Sequence, residues 1–374
     1  MEGKIEETEF SVKGNEGELN NLFTEILDGL RDDIIEANSN VSLYQEAVLN
    51  ETGGKEVYGS HYNEALKIKE ELLENFNDVF SHENKSHWVE ILNGINEAID
   101  LAEDGQFKAV VLANDGANFS VGANLLLLYM GASQGLWKDI DQMIALFQNT
   151  SKRLRYSSIP TVAAPFQLTL GGGCELSMWC DRIHAHAETY MGLVEVGVGL
   201  IPGGGGNIEM VARTLENAPL TPTYPTEPLL MRALQTVAMA KVATSAAEAK
   251  ELLYLSSRDS FSMNRSFQLH DACKIAVSMA ETGYIPPARR SFRLPGVNAY
   301  ATFAMGLKGF LDGGFISEHD YKIALKVAHV MTGGNTNSYQ EVSEDKLLEI
   351  EREAFLSLCG EEKTMARIAY MLEN

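Results

Sequence analysis

The sequence predicts an α/β fold with a helical C-terminal region and an atypical acidic N-terminal segment. Three observations predict it. Short apolar runs alternate with amphipathic stretches between Trp88 and Pro202. A triple glycine, Gly171-Gly172-Gly173, sits where a strand-like run passes into a helical one. Charge is concentrated at one end: residues 1–100 hold 23 acidic and 7 basic side chains, most of the net −22 of the 374-residue chain. The divisions that follow are 1–85, the atypical acidic segment; 86–215, the alternating core with the candidate active site; and 216–374, the helical region.

Taken in order, TEFSVKG (8–14) has weak strand alternation, and Glu18–Ala37 and Tyr62–Phe80 read as acidic amphipathic helices. WVEILNGINEAIDLAED is a helix with an apolar stripe at Val89, Leu92, Ile95 and Ile99, and FKAVVLAND is a buried strand feeding the loop FSVGANL (119–125). A long helix of about Trp137 to Tyr156 leads to Pro160. Then come the strand-like TVAAPFQLTL, the glycine turn, the helical CELSMWCD, the strand-like RIHAHA, and a loop with Glu195 ending at Pro202. PLTPTYPTEP (219–228) is a rigid loop, and helical segments dominate beyond it.

The stretch from Phe166 to Gly206 sets two carboxylates, Glu175 and Glu195, beside glycine-rich backbone, which is an active-site layout. Free N–H groups at a strand-to-helix turn suit an oxyanion. A dinucleotide fingerprint is excluded by register: Gly171 and Gly173 match its first two glycines, but Leu176 occupies the third place, and Glu175 would oppose a pyrophosphate. No Walker GKS or GKT occurs. Close helix–strand packing, with Glu175 as a favourable first-turn acid, is the alternative reading of the triple glycine.

FSVGANL (119–125), LTLGGGCELSMWCDRIHA (168–185) and YMGLVEVGVGLIPGGGGN (190–207) together resemble the enoyl-CoA hydratase, or crotonase, family. The resemblance covers about residues 86–374. AKVATSAAEAKEL, RSFRLPGVNAYAT, GGFISEHDYKIA and EREAFLSLCGEEKT look like the C-terminal hydratase half of long bacterial fusions that carry a 3-hydroxyacyl-CoA dehydrogenase. The resemblance implies a spiral of ββα units, an oxyanion hole made by the amides of Ala123 and Gly172, and catalytic glutamates at Glu175 and Glu195. It implies hydration of 2-enoyl-CoA thioesters in fatty-acid β-oxidation, with Glu175 activating water and Glu195 exchanging a proton at C2. Relatives that only shift a double bond tend to lack the first acid. The same resemblance expects an opening β-hairpin. Residues 1–85 show no clear one, although DVFSHENKS (78–86) has the look of a degraded strand and turn. Much of 1–75 is therefore expected to lie loosely outside the core and coenzyme A binding to be weakened.

The chemistry explains these residue types. Adding water across a double bond conjugated to a thioester develops negative charge on the thioester oxygen, which two fixed N–H donors stabilise. Two carboxylates astride one water divide the proton transfers, and like charges in one buried site share a proton.

The four cysteines, Cys174, Cys180, Cys273 and Cys359, have no CxxC spacing and are read as buried thiols in a reducing compartment. His184 and His186 share one strand face, where satisfied or exposed histidines are favoured over a metal pair. No metal and no nicotinamide cofactor are expected; coenzyme A is part of the substrate. Its phosphates need local cations, for which Lys152, Arg153 and Arg155, or Arg289, Arg290 and Arg293, are candidates against a reading as solvated charge. The acidic balance disfavours nucleic acid and anionic membranes. No signal peptide or membrane span is read, so the expected setting is cytoplasmic, as a homo-oligomer or in a complex with other β-oxidation enzymes. Two alternatives remain: a non-catalytic acyl-CoA-binding or assembly subunit, which would bind without turnover, and another crotonase reaction such as isomerisation or thioester hydrolysis.

Overall fold

The computed structural model describes residues 87–218 and 225–373. The readings for 8–14, 18–37, 62–80 and 78–86, and residues 219–224 of the proline-rich loop, lie outside the described residues. The first helix, α1 (His87–Glu103), buries Trp88, Leu92, Ile99 and Ala102, the face its apolar stripe marks out. β1 (Val110–Leu112) follows, shorter than the apolar run that announces it, and then α2 (Leu125–Ser133), capped by the Asn124 side chain accepting from the Leu126 amide. α3 spans Trp137–Tyr156, as its periodicity predicts. It buries Ile140, Ile144, Phe147 and Leu154, and Asp139 and the pair Arg153 and Arg155 complement its two ends.

TVAAPFQLTL is two strands rather than one. β2 (Thr161–Ala163) ends just before Pro165, and β3 (Gln167–Leu170) starts at Gln167 with φ +46°, so the chain turns from one sheet into another. α4 (Gly172–Trp179), β4 (Arg182–His186), β5 (Thr189–Gly192) and a 3-10 turn (Glu195–Val198) lead to α5 (Gly206–Glu216). The two strands of each pair enter different sheets. β2 and β4 join a parallel sheet ordered β1-β2-β4-β7, where β7 is Ser260–Ser262. β3 and β5 pair in parallel in a second sheet, closed by antiparallel β6 (Val242–Ala243). Ser120 bridges to Thr169, which brings the loop after β1 alongside β3. Two strands then a helix, repeated, is the expected ββα spiral.

The C-terminal region is mostly helical: α6 (Glu227–Ala238), opened by Pro228 in its first turn, α7 (Ala246–Glu251), α8 (Arg265–Glu281), α9 (Gly296–Asp312), α10 (Glu318–Met331), α11 (Glu344–Cys359) and α12 (Glu362–Glu373). Ser317 and Asp320 form a reciprocal capping box at α10. Four strands within it went unread in the sequence: β6, β7, β8 (Ser291–Leu294) and β9 (Gln340–Ser343), the last two an antiparallel pair. They have two to four residues each, and their partners are distant in sequence, so local pattern carries little trace of them. Ala272 and Ala276 of α8 cover Val162 and Ala164, which explains why β2 is buried on both faces. Among the described residues no helix is long and apolar enough to cross a membrane. Cys174, Cys180 and Cys359 are buried, whereas Cys273 is exposed on α8, which corrects the uniform reading of the thiols as buried.

Candidate active site

Three parallel segments end side by side and deliver the candidate residues. The Phe119 amide donates to the Phe166 carbonyl (3.2 Å) and Ser120 to Leu168 (3.0 Å); Leu170 returns a bond to Ser120 (2.9 Å). The Gly171 amide donates to the Gly192 carbonyl (2.9 Å). The carboxyl ends of these segments therefore share one edge, the usual place for a site in parallel architecture. Ala123 follows the first segment, Gly171–Gly173 the second, and Glu195 the third.

The turn between β3 and α4 depends on glycine for two reasons. Gly171 has φ +53° and ψ −125°, which side chains avoid. At Gly172 a Cβ would stand 2.7 Å from Trp88 Cζ2 and 3.2 Å from Phe147 Cζ. Trp88 meets Phe147 edge-on with ring centroids 5.3 Å apart, so two helices close over this backbone.

Ala123, Gly172, Glu175 and Glu195 all line one cavity of about 410 Å³. Its other walls are apolar, with Leu125, Leu128, Met143, Ile144 and Phe147 on one side. Ala240, Phe355 and Met371 also reach it, so the site draws on the 216–374 region as well as on the 86–215 core to which it was assigned. Trp88, Gly203 and these three residues were not singled out in the sequence.

The electrostatics are unusual. Glu175 is 1% exposed, and its Oε1 accepts from the amides of Gly204 and Gly206, each at 2.8 Å. Burial pushes its carboxyl up to about 7, against the pull of those amides. Glu195 is pushed well above the usual carboxylate range by burial and then by the Glu175 charge, and its Oε2 has no hydrogen-bond partner among the described residues. A third carboxylate, Glu351 of α11, is fully buried nearby and is likewise raised by burial and by Glu175. The 3-10 turn that carries Glu195 is tied from α12, where Thr364 Oγ1 donates to the Gly199 carbonyl (2.8 Å).

The cation candidates are mostly engaged elsewhere. Buried Arg155 and part-buried Arg290 pair with Glu209, at 2.9 and 2.6 Å, which withdraws both from phosphate binding. Lys152 pairs with Asp345 (3.0 Å) and Arg153 with Asp100 (2.7 Å) and Glu103 (3.1 Å). Arg289 stacks over Tyr156, and Arg293 Nε reaches the Tyr339 carbonyl at 3.5 Å. Lys152, Arg153 and Arg289 line a separate groove that shares no residue with the cavity. His184 lies between the hydroxyls of Ser260 and Ser262, at 2.8 Å from each.

Residues 69–218 match the family model described as enoyl-CoA hydratase/isomerase. That segment of the chain is similar to the enoyl-CoA hydratase/isomerase family. The matched span begins within the 1–85 segment. The chain is 42% identical over 293 residues to a probable 3-hydroxyacyl-CoA dehydrogenase of Bacillus subtilis (strain 168), covering 78% of this chain and 36% of that protein. It is 30% identical over 275 residues to a putative fatty acid oxidation complex trifunctional enzyme of Rickettsia felis, covering 73% and 34%. The chain thus spans about a third of the length of these curated relatives. Its fold is similar to a carnitinyl-CoA dehydratase from Mycobacterium thermoresistibile, with TM-score 0.53 and 15% identity, covering 76% of this chain and 82% of that one. An enoyl-CoA hydratase from Rhodobacter sphaeroides 2.4.1 gives TM-score 0.50 and 13% identity, covering 75% and 80%. At such identities these two speak for the fold alone.

Proposed function

We propose that this chain is an enoyl-CoA hydratase that adds water across the 2,3-double bond of 2-enoyl-CoA thioesters. The observation that carries the reading is that buried Glu175 and part-buried Glu195 line one largely apolar cavity together with Ala123 and Gly172, the two proposed oxyanion-hole positions. The acyl chain lies against the apolar walls, and the thioester oxygen takes the two amides as charge develops on it. Glu175 is held by N–H donors that favour its ionised form, so it takes a proton from water as the water oxygen bonds to C3. Glu195, whose Oε2 has no hydrogen-bond partner among the described residues and whose carboxyl burial pushes well up, delivers a proton to C2. Water gains one bond to carbon and loses one proton, C2 gains one proton, and the pair is reset by one proton passing from Glu175 to Glu195.

The assigned roles place Glu175 as base and Glu195 as acid, which favours hydration over isomerisation. The site needs no metal or nicotinamide for these steps. The enzyme is proposed to work in cytoplasmic fatty-acid β-oxidation, as a homo-oligomer or alongside other enzymes of that process. The test is direct: mixing the protein with a short 2-enoyl-CoA should remove the conjugated-thioester absorbance. Binding without that loss would instead favour an acyl-CoA-binding subunit, and release of free coenzyme A would favour thioester hydrolysis.

A further inference from the structure

Glu351 has no part in the steps just given, yet it is the third acid of the cluster. It stands at the start of EREAFLSLCGEEKT, on α11, more than 140 residues from the loop it touches. It is completely buried, and four donors converge on it. The Gly205 amide reaches Oε1 at 2.7 Å and Gln148 Nε2 reaches it at 3.4 Å; the Asn207 amide and Asn207 Nδ2 reach Oε2 at 3.1 and 2.8 Å. The same turn of chain gives its alternate amides, Gly204 and Gly206, to Glu175. The segment from Gly204 to Asn207 is thus strung between two carboxylates, its N–H groups pointing by turns to one and the other.

That alternation has a physical consequence. A buried carboxylate among four donors is satisfied only as an acceptor on both oxygens. A proton or an amide NH₂ at either oxygen would face a donor. Release of Gly205 and Asn207 would free the turn, and with it the two N–H groups that fix Glu175. Trp179 Nε1 donates to the Gly205 carbonyl (3.2 Å) and Ser151 Oγ to the Gly204 carbonyl (2.8 Å), so the other side of the turn is also held.

We propose that Glu351 is a positioning residue for the active site: by accepting from Gly205 and Asn207 it clamps the 204–207 turn, whose remaining amides aim Glu175 into the cavity. It acts through Glu175 and touches no substrate. The catalytic half of this statement rests on the hydratase reading; the clamp itself does not.

The test is built on that distinction. Glu351→Gln is nearly isosteric and keeps one acceptor. Amide hydrogen exchange in full-length protein should speed up at residues 203–207 in this variant, with α3 and α9 unchanged. Unchanged exchange at 203–207 overturns the clamp, whether or not the protein hydrates anything. For hydration of a short 2-enoyl-CoA, the variant should lose about 100-fold in kcat, as misplacement of a catalytic group does, with little change in KM. Glu351→Asp, which keeps both acceptor oxygens, should recover part of the loss. Adding Glu351→Gln to Glu175→Gln should cost almost nothing more, because the clamp acts through Glu175. A full further loss in the double variant, or a loss confined to KM, would refute the positioning role. If Glu351→Gln fails to fold, Asn207→Ala removes only the side-chain donor and should show the same exchange pattern at smaller amplitude; normal exchange there counts against the clamp. Wild-type protein that hydrates nothing, with faster 203–207 exchange in the variant, would overturn the hydratase reading and leave the clamp standing.

Discussion

Two groups of buried carboxylates lie one turn apart along α5, and they solve the same problem in opposite ways. At its N-terminus Glu175 and Glu351 are met by backbone and amide N–H groups, and no cation among the described residues pairs with them. At Glu209 three arginines converge: Arg155 at 2.9 Å, Arg290 at 2.6 Å and Arg213 at 3.3 Å. Arg290 continues to Glu344 (2.5 Å) and Arg213 to Asp259 (3.8 Å). Burial raises a carboxyl in both places. The arginines overcome it at Glu209, which falls to about 2, whereas the amides do not at Glu175, which rises to about 7. The compensated group ties α3 and α5 to the residue that precedes β8; Glu175 keeps a titratable proton at the cavity.

The largest way to break this contrast is to remove the two proposed catalytic acids. Glu175→Gln and Glu195→Gln should each lower kcat for hydration by about 10²–10⁴ with a much smaller change in KM, and the double variant should be little worse than either single. Steady-state kinetics showing near-normal turnover in either would end the paired-acid account. Next comes Gly172→Val. Its Cβ would press on Trp88, so the amide should leave its place and turnover should fall by about 10²–10³, the cost of losing an oxyanion donor. Near-ultraviolet circular dichroism should show the fold retained.

On the compensated side the effect should be on stability. Glu209→Gln leaves buried Arg155 without its carboxylate and should cost about 3–5 kcal/mol of unfolding free energy, read in urea, with KM of the folded protein unchanged. A loss of kcat equal to that of Glu175→Gln at normal stability would erase the distinction between the two groups. The smallest expected effect is the pH dependence. In the proposed role of base Glu175 must be ionised, so kcat/KM should fall as pH drops below about 7. Stability should respond with opposite signs. Between about 4.5 and 7 the folded protein holds a proton on Glu175 that the unfolded chain has lost, so this group's contribution falls as pH rises through that window. Between about 4.5 and 2 the unfolded chain takes up a proton that folded Glu209 refuses, so its contribution is lost as pH falls. Urea midpoints across pH should lose the first trend in Glu175→Gln and the second in Glu209→Gln.

Much of this was legible along the chain because its signals are local. Periodicity marks α1 and α3, and the strand–glycine–helix pattern marks the β3–α4 turn with Glu175 in the first turn of α4. Glu195, twenty residues on, sits after the next pair of strands. The strands of 240–343 were illegible because each is short and exists only through a distant partner. The fate of Arg155 and Arg290 was equally hidden: a basic residue in a sequence reads as solvated until the acid opposite it is known.

The sequence by itself determined the order of the ββα units and marked out Ala123, Gly172, Glu175 and Glu195, since these depend on spacing within some ninety residues between Phe119 and Asn207. Only the tertiary structure decided that α11 and α12 return to complete the site, with Phe355 and Met371 on its wall and Glu351 beneath its glycine turn. It also decided which carboxylates carry raised pKa values, because the balance between desolvation and nearby donors or cations depends on distances of a few ångströms between residues far apart in the chain.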